Sequence, residues 1–124
     1  MKLEIWLDFV LQCAHRLPAV PEGHPCGRLH GHNYTIRVFV TGPLDPARAW
    51  IMDYADVRAI WDNIIHARLD HRLLNDLVGL ENPTCEMLVE WIHLHLGSAL
   101  ESTGRRLSRI EIQEEPSSGV VFEP

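Results

Sequence analysis

Between Asn33 and Val40 the chain reads Asn-Tyr-Thr-Ile-Arg-Val-Phe-Val, an alternation of polar and apolar positions. Side chains of a strand alternate between faces with a period of two, so this run predicts a strand from about His30 to Thr41, ending at Gly42-Pro43. Leu3 to Cys13 alternates poorly but is rich in large apolar residues, and predicts a first strand. Between them, Leu17 to Leu29 carries Pro18, Pro21, Gly23, Pro25 and Gly27, which rules out a regular element and predicts a loop.

The period then lengthens. Tyr54, Val57, Ile60, Trp61, Ile64 and Ile65 recur at three-to-four spacing behind Asp53, a capping residue, and predict a helix to about Ala67. Leu69 to Asn82 is irregular. Asn82-Pro83 predicts the start of a second helix with proline at its first position, Met87, Leu88, Trp91, Ile92, Leu94 and Leu96 on its buried side, and Gly97 or Gly104 as its stop. Leu107 to Glu114 alternates again, and Pro116 to Gly119 turns the chain into a last strand, Val120 to Phe122. The expected fold is α+β: strand, strand, helix, helix, strand, strand, an antiparallel sheet with two helices on one face, in a single domain over residues 1–124. A sheet with one bare face and two open edges predicts an oligomer.

Composition narrows the class. The 124 residues are 46% hydrophobic and 23% charged, ordinary for a soluble domain, and no apolar run approaches the roughly 18 residues of a membrane span. The net charge of −6 argues against nucleic-acid or anionic-membrane partners, though not against an anionic small molecule at a locally basic site. Three cysteines without framework spacing suit free thiols in a reducing, cytoplasmic setting.

Chemistry concentrates near the second strand. His30 and His32 are two apart and share a face, and His15 from a neighbouring strand completes a three-imidazole set. Zinc held by three protein ligands keeps a position open for substrate. A fourth ligand, Cys26, would instead make a structural site. Cys26 lies beside Arg28 in the flexible loop, where a metal and a cation favour the thiolate. Arg16 and Arg28 make this region basic and are candidate contacts for an anionic group. Asp70-His71 fits either an acid/base pair or an ordinary helix-end pair. His24 is ambiguous, and His66, His93 and His95 lack convergent spacing. A strand-end carboxylate, Glu114 or Glu115, can accept two hydrogen bonds from the N–H and NH₂ edge of a guanine- or pterin-like ring.

Together, Cys26-x-x-x-His30-Gly31-His32-Asn33-Tyr34, Ala14-His15-Arg16-Leu17, Leu69-Asp70-His71-Arg72-Leu73-Leu74-Asn75-Asp76 and Glu81-Asn82-Pro83-Thr84 resemble the 6-pyruvoyltetrahydropterin synthase family, in the right order from about Asp8 to Gly119. Within it the chain is most similar to the bacterial 6-carboxytetrahydropterin synthases of queuosine precursor synthesis, which share the three-residue gap between Cys26 and His30. The resemblance implies the tunnelling fold, whose subunits join their sheets into a barrel with active sites between subunits. It implies zinc on His15, His30 and His32, with Cys26, Asp70 and His71 as acid/base residues, Glu114 anchoring the pterin ring and Thr84 a smaller ring contact. The implied reaction converts 7,8-dihydroneopterin triphosphate to 6-carboxy-5,6,7,8-tetrahydropterin, acetaldehyde and triphosphate, without a redox cofactor. The pyruvoyl-forming reaction on the same substrate, a non-catalytic zinc or pterin module and an unrelated zinc hydrolase are the alternatives.

Overall fold

The computed structural model describes residues 2–124, so Met1 lies outside it. Four strands, β1 (Ile5–His15), β2 (His30–Thr41), β3 (Arg106–Glu115) and β4 (Ser118–Phe122), form one antiparallel sheet in the order β1-β2-β3-β4. Between β2 and β3 come α1 (Tyr54–Trp61), a π-helical segment (Asp62–His66), a last turn α2 (Ala67–Leu69) and the long α3 (Cys85–Glu101). The predicted architecture is the one observed, and β2 has its predicted bounds. No helix among the described residues is long and apolar enough to cross a membrane.

Alternation decides what the sheet buries. Leu7, Leu11 and Cys13 of β1 pair with Val38, Tyr34 and His32 of β2, and with Ile36, Ile110 and Ile112 they line the face covered by the helices. Trp61 from α1 stacks on Phe9 at 4.3 Å between ring centroids, fixing the first helix to β1. On the other face Arg37 pairs with Asp8 at 2.8 Å and lies over the Trp6 ring, among the exposed apolar residues Val10 and Val121.

Four expectations need correcting. The first strand begins and ends two residues later than its apolar run suggested, which places His15 inside it, paired with His30. The second helix is capped by Thr84, whose Oγ1 accepts from the Met87 amide at 3.1 Å, and Pro83 lies outside it with its carbonyl free for another partner. Met87 and Leu94 are exposed, whereas Cys85, Val89, Gly97 and Leu100 join the buried side. Gly97 continues the helix; the chain turns at Gly104, φ +77°. Ahead of α1 the Trp50-Ile51-Met52 segment bends and buries Ile51.

The β3–β4 hairpin is tight. A Cβ on Gly119 would come within 2.2 Å of the Ile112 carbonyl oxygen. Gly119→Ala is therefore expected to cost about 1–3 kcal/mol, the usual range for forced overpacking. Urea denaturation should show a lower midpoint with an unchanged slope.

Candidate metal and acid/base site

At the end of the sheet where β1 finishes and β2 begins, three imidazoles converge. Cross-strand pairing brings His15 opposite His30, and the two-residue period puts His32 on the same face. One ring nitrogen from each lies within 4.8 Å of the others, and the Nε2 atoms of His15 and His30 are 2.9 Å apart. Gly31, between the two β2 histidines, leaves the Cys13 carbonyl 3.4 Å from where a Cβ would sit.

Backbone carbonyls behind two of the rings fix which of their nitrogens point inward. His15 Nδ1 lies 2.9 Å from the Pro83 carbonyl oxygen, and His30 Nδ1 lies 2.6 Å from that of Arg28. A carbonyl only accepts, so each Nδ1 carries the proton and each Nε2 presents its lone pair to the cluster. His15 is 1% exposed. Burial, and then the neighbouring His30 and His32, lower its pKa against the opposing Pro83 contact, favouring the neutral form that binds metals. Convergent imidazoles, those of His15 and His30 oriented by backbone carbonyls, fit a zinc-type divalent ion, and His15, His30 and His32 can hold one.

Glu114 reaches the same place from β3. Its Oε1 is 3.5 Å from His32 Nε2 and 3.8 Å from His15 Nε2. Glu115 faces the other way and is exposed, accepting from Ser118 Oγ at 3.0 Å. The adjacent acids thus differ in environment.

Cys26 lies in a short 3₁₀ turn, Pro25–Gly27. Its amide donates to His24 Nδ1 at 3.1 Å and its carbonyl accepts from the Leu17 amide at 2.9 Å, tying the loop to the end of β1. Its thiol is half-buried, whereas Cys13 and Cys85 are buried with thiols pushed up to about 12, chiefly by burial. Alkylation of the folded protein at neutral pH is expected to modify Cys26 ahead of both others, with peptide mass mapping as the check.

Asp70-His71 sits on the open edge of β1. The Gln12 amide donates to Asp70 Oδ1 at 2.9 Å, the His71 amide donates to the Gln12 carbonyl at 2.6 Å, and the Ala14 amide donates to the Arg72 carbonyl at 2.9 Å. This segment therefore covers the end of an otherwise open strand edge. His71 adopts φ +58°, an unusual left-handed conformation that turns its ring into solvent. Its Nδ1 donates to Asp70 Oδ2 at 2.6 Å, leaving Nε2 outward. Burial works to raise the Asp70 carboxyl, but the Gln12 amide and His71 outweigh it, and its net pKa is lowered.

His66, given no role from sequence, places Nε2 3.6 Å from the same Asp70 oxygen. A groove of about 460 Å³ is lined by His32 and by His71, yet no hydrogen bond among the described residues joins Cys26 to Asp70 or His71. Arg16 and Arg28 are exposed, form no ion pair among the described residues, and share the rim of a hollow of about 280 Å³ with His24. Thr84, half-buried, caps α3. Spacing could not reveal the Pro83 and Gln12 backbone partners, because they arrive from distant segments.

Known proteins resemble this chain in sequence and in overall fold. A 6-carboxy-5,6,7,8-tetrahydropterin synthase of Synechocystis sp. is 37% identical over 99 residues, covering 77% of this chain and 75% of that protein. A 6-pyruvoyl tetrahydrobiopterin synthase of Drosophila melanogaster is 35% identical over 96 residues, 75% of this chain and 56% of that protein. The solved structure of Caenorhabditis elegans 6-pyruvoyl tetrahydropterin synthase superposes with a TM-score of 0.86 at 21% identity, covering 100% of this chain and 96% of that one. The family profile described as 6-pyruvoyl tetrahydropterin synthase matches residues 4–124, and the chain belongs to that family.

Proposed function

We propose that this protein is a zinc-dependent carbon–carbon lyase that converts 7,8-dihydroneopterin triphosphate to 6-carboxy-5,6,7,8-tetrahydropterin, acetaldehyde and triphosphate. The observation that carries this reading is the convergence of three inward-facing imidazole nitrogens with a carboxylate beside them. The Synechocystis similarity over three quarters of both chains favours the carboxy-forming branch, and with it a place in queuosine precursor synthesis. The protein acts as a cytoplasmic homo-oligomer with one zinc per subunit.

Zinc held by His15, His30 and His32 would supply Lewis-acid polarisation of the substrate's side-chain hydroxyls. Cys26, as thiolate, removes a proton from the side-chain carbon. His71 relays protons through Nε2, its ring held by Asp70. Glu114 accepts the N–H and NH₂ of the pterin edge, Thr84 contacts the ring, and Arg16 and Arg28 neutralise the departing triphosphate. Carbon–carbon cleavage, with uptake of one water, releases the two-carbon aldehyde. The ring is reduced at the expense of its own side chain, so no redox cofactor is required. An exposed His71, without a bond to Cys26 of its own chain, suits a site completed by a neighbouring subunit.

The Drosophila similarity favours a second reading, in which triphosphate is eliminated without carbon cleavage and a pyruvoyl product remains. Mass spectrometry of the products from zinc-loaded protein separates the two. Carboxytetrahydropterin with acetaldehyde supports the first reading, a pyruvoyl product supports the second, and unchanged substrate contradicts both.

A further inference from the structure

Glu114 lies beside the histidine cluster, within 4 Å of two of its three rings. Donors sharing a tetrahedral zinc at roughly 2.0–2.2 Å lie roughly 3.3–3.6 Å apart. Glu114 Oε1 sits 3.5 Å from His32 Nε2 and 3.8 Å from His15 Nε2, close to that spacing. Its backbone supplies an independent observation. Gln113 pairs with Gly119 and Glu115 with Ser118, so Glu114 is the extra residue of an irregularity in the β3–β4 ladder. Bulges of this kind re-aim a side chain, often next to an active site. The close packing of Gly119 on the Ile112 carbonyl lets the hairpin hold that shape. Among the described residues no Lys or Arg pairs with Glu114, whose carboxylate instead faces the ring nitrogens of the two histidines.

We propose that Glu114 is a fourth, displaceable ligand of the metal in the substrate-free protein, and that arriving pterin draws the carboxylate from the metal to the ring edge. The exchange half rests on the function proposed above; the ligand half rests only on the metal site. Glu114 then closes the coordination sphere while the protein waits and opens it when the correct ring is present. The carboxylate leaves one set of positive partners only when another is offered, which couples ring recognition to exposure of the metal.

The test is a crystal structure of the zinc-loaded, substrate-free oligomer, with visible absorption spectra of cobalt-loaded wild type and Glu114→Gln. The proposal expects a Glu114 oxygen at about 2.0–2.2 Å from the metal and shifted cobalt bands in the variant. Water at the fourth position with Glu114 turned away, or superimposable spectra, would overturn it. If Glu114→Gln fails to fold, the wild-type crystal decides alone. Adding a reduced pterin that lacks side-chain hydroxyls should shift the wild-type bands by freeing Glu114. Unshifted bands with the pterin bound, shown separately by fluorescence titration, would overturn the exchange. None of these readouts requires turnover, so failure here is distinguishable from failure of the product assay.

Discussion

His15→Ala is expected to abolish metal loading at ordinary zinc concentrations, and turnover with it. If a zinc site of about 10–16 kcal/mol is shared among four ligands, losing one weakens binding by roughly a hundred- to a thousand-fold. His15 carries more than a ligand atom. Its ring is buried, and its Nδ1–H satisfies the Pro83 carbonyl just before the cap of α3. Removing the ring orphans that carbonyl, at a cost of about 1–3 kcal/mol. Metal-free wild type and metal-free variant compared by urea denaturation isolate this second effect, and a chromophoric chelator measures the first. Unchanged zinc affinity would contradict the assignment of the ligand.

The second large effect is expected at Cys26. Its half-buried thiol forms no side-chain hydrogen bond among the described residues, so Cys26→Ala should leave zinc content and the unfolding midpoint nearly unchanged. Turnover should nevertheless fall by about 10²- to 10⁴-fold, the usual contribution of a positioned proton-transfer group. This pattern separates a base from a ligand. If Cys26 were a structural fourth ligand, its loss would lower zinc affinity and stability together.

How much of this was legible in the sequence depends on how local each signal was. The bounds of β2 follow from an alternation contained within the strand itself, and the same period places His30 and His32 on one face. Bringing His15 to them required pairing across the sheet. The first strand extends to His15 because backbone pairing with β2 continues past the end of the large apolar run. The start of α3 departs from the sequence expectation because Pro83, which suits a first helical position, gives its carbonyl to His15 while Thr84 caps instead.

The apolar residues of α3 occupy too much of its circumference for periodicity to select the buried side, so the pattern cannot tell the exposed Met87 and Leu94 from the buried positions. The π-helical segment left no mark in the apolar pattern, and the contact of His66 with Asp70 was missed with it. The docking of Asp70–Arg72 on the edge of β1 is made by backbone groups, which no residue type reports.

The most direct measurement is a zinc titration of metal-stripped protein, with pterin product and acetaldehyde quantified at each step. The account predicts that both products rise together in proportion to added zinc and level off at one equivalent per chain, with His15→Ala flat throughout. Full product formation by rigorously metal-free protein, or a rise indifferent to His15, would contradict it.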